Sequence, residues 1–166
     1  MKTRVTAKVE LVGKDRTPDL EAAVKALASR SVLVGVPEDK TERKSDEINN
    51  ATLAYIHDNG SPSANIPARP FLDPGVQKAK DRIIVRLKQM GTSVLGGDRQ
   101  AVERQLNAIG LLAVSAIREK ITEGPFIALK PSTIAARKRQ GFLGTRPLVR
   151  TGQLRNAVNY VLTEKK

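Results

Sequence analysis

The chain has no cysteine, no tryptophan and a single histidine in 166 residues. Without cysteine, a disulfide, a thiolate metal site and a cysteine nucleophile are all excluded. One histidine cannot build a histidine-rich metal site, and a Ser-His-Asp triad would have to use His57. Neither a Gly-x-Ser-x-Gly element nor a phosphate-binding glycine loop is present. These absences argue against an enzyme, and we expect no catalytic residue, no metal and no cofactor.

Aromatic residues are also scarce, at 3% of the chain, whereas 40% of the chain is hydrophobic. The core should therefore consist mainly of Val, Leu, Ile and Ala. No run of about 18 apolar residues occurs, so we expect no transmembrane helix. The first residues alternate between polar and apolar, unlike a signal-peptide core. We therefore expect a soluble protein made inside the cell, and the length predicts one domain over residues 1–166.

Acidic residues are few compared with basic ones: 17 Asp and Glu face 29 Lys and Arg, a net charge of +12. No acid occurs from residue 124 to residue 163. This excess favours a polyanionic partner such as nucleic acid, an acidic protein surface or anionic lipid. Two interpretations stay open: a solvated basic face, or a phosphate-facing surface whose affinity falls steeply with salt. The cations that we nominate for DNA contact are Lys78, Arg82, Arg86, Arg137, Lys138 and Arg139.

The hydrophobic periodicity predicts an α+β fold, with a small antiparallel sheet of about three to four strands packed with several helices, one of them long. One strand is expected at residues 4–12, within an N-terminal segment that spans residues 1–15. A second is expected at residues 32–36, where it should be fully buried, and a third at residues 158–162. Residues 61–72 contain three prolines and should form an extended arm or edge strand. Residues 124–150 should form a basic helix and loop. The residues expected to start helices are Thr17, Ser45, Asp73, Asp98, Pro131 and Thr151.

Helical spacing also predicts which side chains face the core. Three sets are expected to point inward: Leu20, Val24 and Leu27; Val76, Ala79, Ile83, Leu87 and Met90; and Val102, Leu106, Ile109, Ala113, Ala116 and Ile117. Gly91 and the Gly96-Gly97 pair should mark a break in helical structure between the second and third sets. Gly110, inside the longest helix, either permits the close approach of another helix or is simply tolerated.

Two motif segments carry a resemblance to a known family. The first has Ala54, Ile56, His57 and Gly60, followed by Ile-Pro-Ala-Arg-Pro-Phe-Leu at residues 66–72. The second has Leu129, Pro131, Ser132, Thr133, Ile134 and Lys138, followed by Pro147, Leu148, Thr151, Gly152, Leu154 and Arg155. In order and spacing, over residues 32–161, they resemble the tail-completion or head–tail joining proteins of long-tailed phages, in particular the neck and virion-morphogenesis group of Mu-like phages. Asp58-Asn59 departs from the apolar pair that is frequent there.

The resemblance implies a non-enzymatic virion protein, made in the bacterial host cytoplasm and located at the head–tail neck. Such proteins form rings, with a hexamer favoured and a dodecamer possible. The ring would join the portal and head-completion adaptor to the tail terminator or tail tube. It would surround double-stranded DNA without reading its sequence, and no membrane is involved. The residues nominated for subunit contacts are Ile66, Pro67, Arg69, Pro70, Phe71, Thr151 and Arg155.

Plainer alternatives remain beside this interpretation. The charge also suits a stand-alone, sequence-independent DNA-binding protein, although the few aromatics form no stacking platform. A hydrolase or nuclease would need clustered carboxylates, and Asp46, Glu47 and Asp58 are better explained as solvated acids. His57 is more simply a structural residue, and Ser132 a helix cap. The proline-rich arm is either an ordinary connection or a contact with a neighbouring subunit or protein.

Overall fold

Helices dominate the fold, which also contains a two-stranded antiparallel sheet. A computed structural model describes residues 17–37 and 48–164. Within those ranges the elements are, in chain order, α1 (Thr17–Ala28), β1 (Arg30–Gly35), α2 (Asn50–Asn59), α3 (Leu72–Lys78), α4 (Lys80–Leu95), α5 (Arg99–Glu123), α6 (Pro131–Arg139), α7 (Gln153–Ala157) and β2 (Asn159–Glu164). The mixed fold class is confirmed.

The long helix α5 is the element on which the others pack. It contacts α3, α4, α7 and both strands. Asp98 caps its start, because the Asp98 carboxylate accepts a hydrogen bond from the Ala101 N–H at 2.8 Å. Gly124 ends it with a φ of 72°, which glycine adopts without strain. The predicted cap is confirmed, as are all the inward residues of this helix: Val102, Leu106, Ile109, Ala113, Ala116 and Ile117.

Two hydrophobic clusters form the core on α5. The larger joins α2, the start of α3, α5 and the C-terminal segment through Ala54, Phe71, Val114, Ile117, Ile121, Leu148, Leu154 and Val158. The smaller joins α4 to α5 through Met90, Val94, Val102 and Leu106, with Ala23, Leu27, Val32 and Leu162 packed on it. Each large side chain fully buried here contributes about 1.5–3 kcal/mol. Aliphatic side chains supply most of this core, as the composition indicated.

The sheet is half-buried, so the expectation of a fully buried strand is wrong. In the antiparallel register, Leu33 lies opposite Val161 and Val34 lies opposite Tyr160. Successive residues of a strand face opposite sides, so Val34 and Tyr160 pack on the core while Leu33 and Val161 face outward. Leu33 is 59% exposed and Val161 48% exposed.

The described residues contain two strands, fewer than the three to four predicted. Residues 4–12 lie outside the described ranges, and so do residues 39–44, expected to be a mobile loop. The proline-rich segment forms no edge strand, and its first half is a turn rather than an extended arm: Ser61 pairs with Ile66 in one isolated bridge. Between them the chain turns, with the Asn65 N–H donating to the Pro62 carbonyl at 3.0 Å and Asn65 at a φ of 53°. Prolines stop this turn from continuing as a ladder because they have no N–H to donate.

Two predicted helix starts are wrong. Helix α2 begins at Asn50 rather than after Ser45, which lies outside the described residues, and its cap is Asn49, whose Oδ1 accepts from the Thr52 N–H at 2.8 Å. Helix α7 is capped by Gly152 at a φ of 77°, with Thr151 one position earlier. In each case a neighbouring residue with suitable backbone geometry takes the cap position. The expected end of α2 near Asn59 and Gly60 is confirmed.

Helix α4 also differs from the prediction. It runs through Gly91 to Leu95 and ends at Gly96, because Met90 and Val94 on either side of the glycine are buried against α5. Leu87, expected to point inward, is half exposed. On α1, Leu20 and Val24 are exposed, and Ala23 and Leu27 make the core contact instead.

Gly110 lets the sheet approach α5 closely. A β-carbon placed there would lie 2.3 Å from Cδ2 of Tyr160, far inside van der Waals contact. The Tyr160 hydroxyl donates to Oδ1 of Asn107 at 2.8 Å, so the ring is held over the glycine from one turn earlier on the helix. A close approach at Gly110 is therefore confirmed, but the approaching element is strand β2 rather than another helix.

We expect Gly110→Ala to lower the free energy of unfolding by about 1–3 kcal/mol, because the new methyl group overpacks against the Tyr160 ring. Gly91→Ala is the matched control: it lies inside α4 with open space around its α-carbon. It should raise stability by up to about 1 kcal/mol through helix propensity alone. Urea unfolding of both variants measures this, and equal effects would contradict the close contact.

Candidate subunit and nucleic-acid interfaces

Within the first motif segment, Asp58 near the end of α2 is hydrogen-bonded to the start of α3. Its Oδ1 accepts hydrogen bonds from the backbone N–H groups of Phe71 at 2.7 Å and of Leu72 at 3.1 Å. These N–H groups lie at the start of α3, where Phe71 provides no side-chain cap of its own. Asp58 thus satisfies the free donors of a helix 13 residues away, with the charge that a helix N-terminus favours. No local sequence signal marks this role, so sequence reasoning missed it.

Arg69 ties the same segment to the chain that follows α5. Its side chain is buried, with the residue only 5% exposed. Its Nε donates to the carbonyl of Ile127 at 2.8 Å and its Nη2 to that of Ala128 at 3.3 Å. Burial lowers the pKa of Arg69, because a desolvated guanidinium is less stable. Its partners are neutral carbonyls of its own chain, not acids of a neighbour.

The structure therefore divides the residues nominated for subunit contacts. Phe71 is fully buried and Arg69 nearly so, which makes them internal residues, and a surface contact for these two is wrong. The reason is that the hydrogen bonds from the Phe71 and Leu72 N–H groups to Asp58 hold this end of the proline-rich segment against the core. The remaining nominees, Ile66, Pro67, Pro70, Thr151 and Arg155, are partly or fully exposed and stay predictions.

The cations nominated around α4 are not equivalent. Lys78 lies on α3, where its Nζ contacts Glu119 at 2.8 Å and Glu123 at 3.2 Å. These two acids raise the pKa of Lys78, first through the hydrogen bond to Glu119. Arg82 and Arg86 are exposed on α4, and Arg86 touches only the amide oxygens of Gln89 and Gln105. No acid of the described residues pairs with Arg82 or Arg86, so these two keep an uncompensated charge.

The cations nominated on α6 also differ from one another. Lys138 and Arg139 are exposed. Arg137 is partly buried, and its Nη1 donates to the carbonyls of Arg146 at 2.9 Å and Gly144 at 3.4 Å. Burial lowers the pKa of Arg137, and the positive charges of Arg150 and Arg69 lower it further. Arg137 therefore belongs to a group of like charges facing an internal cleft rather than to an open surface.

One side of α4 carries apolar residues that the described part of the chain leaves exposed. Ile84 is 37% exposed, Leu87 45% and Leu95 62%. Their spacing of three and eight residues puts them along one side of the helix, and we call these three residues the α4 stripe. An exposed apolar row of this kind marks a contact with another protein surface more often than an isolated exposed leucine does.

No family model, curated protein or solved structure matches this chain. In the part of the chain that the structure describes, no group of three or more metal-binding side chains comes together. Nor is any helix of that part both long and apolar enough to cross a bilayer. Among the described residues, three surface features stand out: the α4 stripe, the exposed cations of α4 and α6, and the cleft beside Arg137.

We expect Phe71→Ala to lower the free energy of unfolding by about 3–5 kcal/mol, because it empties a fully enclosed site in the larger core cluster. Ile127→Ala is the control, since that side chain is exposed although its carbonyl accepts from Arg69. It should change stability by less than about 0.5 kcal/mol. Chemical unfolding measures the free energy of unfolding of both variants. A folded Phe71→Ala chain of unchanged stability would contradict the core role of Phe71 and restore the predicted subunit contact.

We expect Arg82→Gln combined with Arg86→Gln to weaken binding to a short DNA duplex of arbitrary sequence. The slope of log affinity against log salt should fall by up to about 0.9 per lost phosphate contact. Lys78→Gln should change the slope less, because Glu119 and Glu123 already neutralise that cation. Fluorescence anisotropy over a salt series measures both. An equal loss from Lys78→Gln would contradict the distinction.

Proposed function

We propose that this protein is a structural component of a phage head–tail connector, forming a ring between the portal-side adaptor and the tail. The observation that carries the proposal is that the two motif segments, far apart in sequence, pack together as one unit. A resemblance whose separate motifs formed unrelated surfaces would have less weight. Here both segments share a core and a cleft.

The contacts between the two segments are specific. Phe71 of the first segment lies in the same buried cluster as Leu148 and Leu154 of the second. Arg69 holds the chain just before the second segment through the carbonyls of Ile127 and Ala128. These four motif residues, Arg69, Phe71, Leu148 and Leu154, therefore maintain the fold, a use expected of a motif in a structural protein.

The α4 stripe supports assembly into a ring. Ring symmetry needs two different patches on each subunit, one meeting the other on the next copy. Ile84, Leu87 and Leu95 supply an apolar patch that a second copy of the chain can cover. Covering them would remove apolar surface from water at about 25 cal/mol per Å².

The cation surplus supports a channel for DNA. Repeating Arg82, Arg86, Lys138 and Arg139 around a ring would multiply a positive field that attracts phosphates without reading bases. Such a field suits a channel through which any genome sequence passes. The same surplus favours the second candidate function, a stand-alone, sequence-independent DNA-binding protein.

Deleting the gene from the phage genome that encodes it should yield DNA-filled heads and free tails, seen by negative-stain microscopy, with no joined virions. Supplying the wild-type gene in trans should restore joined particles. Ile84→Asp with Leu87→Asp should fail to restore them, because charges in the α4 stripe prevent its burial. Leu20→Asp with Val24→Asp, an exposed apolar pair on α1, is the matched control and should restore joining.

Two outcomes would count against these assignments. Joined, infectious particles from the deletion would refute the connector role and favour the stand-alone DNA-binding protein. Full rescue by the α4 variant, with a proven deletion phenotype, would leave the connector role standing and remove the stripe from the subunit contact. Circular dichroism of the purified variants shows that each one is folded.

A further inference from the structure

A cleft of about 360 Å³ lies between α2 and the C-terminal motif segment. Leu53 and His57 of α2 form one wall, and residues of α6 and of the turn before α7 form the other. Its apolar lining comes from Leu53, Ala136, Leu148 and Leu154. Clefts of this size hold a side chain or a short peptide segment rather than a large surface.

Two arginines line this cleft, and a third lies close enough to act on one of them. Arg137 and Arg150 are lining residues. Burial lowers the pKa of Arg137, and the positive charges of Arg150 and Arg69 lower it further, so both cations lie close enough to act on Arg137. None of the cleft's lining residues is an acid. The cleft is therefore a concentration of positive charge that nothing lining it compensates.

Both arginines are held in place by neutral groups. Arg137 donates to the carbonyls of Gly144 and Arg146. Arg150 donates from Nη2 to Oε1 of Gln140 at 2.8 Å, and its guanidinium lies 4.7 Å from the centroid of the Phe142 ring. These contacts orient the guanidinium groups and leave other N–H donors for a ligand, since each guanidinium has five. A guanidinium fork matches the geometry of a carboxylate or of a phosphate, and two arginines line this cleft.

The apolar lining distinguishes between two kinds of anion. A DNA duplex is convex and too wide to enter, so its phosphates would reach the rim and leave Leu53 and Leu148 unused. A peptide with a glutamate or aspartate beside an aliphatic residue would use both parts of the cleft, with its carboxylate on the arginines and its aliphatic side chain on the leucines. Charge and shape thus favour a protein partner.

We propose that this cleft is a docking site for an acidic, partly aliphatic peptide segment of a partner protein, which binds through Arg137 and Arg150 over the floor of Leu53, Leu148 and Leu154. The proposal does not depend on the connector role, because it rests on the charge and lining of the cleft alone. It adds a contact distinct from both the α4 stripe and the exposed cations of α4.

The probe is a capped, fluorescent hexapeptide that alternates leucine and glutamate, titrated with the full chain and followed by anisotropy. A glutamine version of the peptide is the ligand control. Arg150→Gln should weaken binding of the acidic peptide about tenfold, the loss expected for one charge-assisted contact of roughly 1.4 kcal/mol. Lys80→Gln with Lys88→Gln, on exposed α4 positions, removes more charge and should leave peptide binding unchanged.

A second variant keeps the test independent of Arg137, whose hydrogen bonds also support its own loop. Leu53→Asn removes apolar floor without changing charge and should weaken peptide binding while leaving binding to a short duplex unchanged. Equal binding of the glutamate and glutamine peptides overturns the proposal, and so do equal losses of peptide affinity in Arg150→Gln and in the Lys80–Lys88 variant. The proposal is also overturned if duplex DNA displaces the peptide and Arg150→Gln loses DNA binding. Absence of peptide binding at millimolar concentration overturns it too.

Discussion

Burial of Ile117 on α5 is the contact on which the rest of the structure depends. Ile117 is fully enclosed, and α3 approaches it so closely that a β-carbon at Gly75 would lie 2.7 Å from its α-carbon. This approach brings the start of α3, and with it Phe71, into the core beside Leu148 and Leu154. Because Phe71 of the first motif segment and Leu148 and Leu154 of the second pack in one cluster on α5, the two distant segments become neighbours. The interior is close-packed, so a change in one of these contacts is felt by the others.

The placement of charge follows from that packing. Cations near acids of α5 are neutralised, as Lys78 is by Glu119 and Glu123. Arg137 and Arg150, in the acid-free C-terminal segment, contact carbonyls, an amide oxygen and the Phe142 ring, and none of the residues that line the small cleft beside them is an acid. The surplus of positive residues therefore occurs in two settings: exposed on α4 and α6, and beside the cleft that Arg137 and Arg150 line.

Prediction from the sequence worked where a signal was local or strongly periodic. The cap at Asp98, the inward face of α5 and the end of α2 at Gly60 follow from short-range chemistry, and all are confirmed. Prediction failed where a distant partner decided the outcome. Leu87 has the spacing of a core residue, yet the single chain leaves it half exposed. The proline-rich segment was expected to be an extended arm, but Asp58 and Arg69 close it onto the core, and both bonds span more than a dozen residues.

The sequence by itself determined the class of chain: mixed helix and strand, a core poor in aromatics, a large positive charge, no cysteine and a single histidine. These properties depend on composition and on periods of two and 3.6 residues, which act locally. Only the tertiary structure decided which arginine is internal, which lysine is neutralised and which two walls form a cleft. Those outcomes depend on distances between residues far apart in the chain, because an ion's partners and its burial are set by what packs beside it rather than by what precedes it.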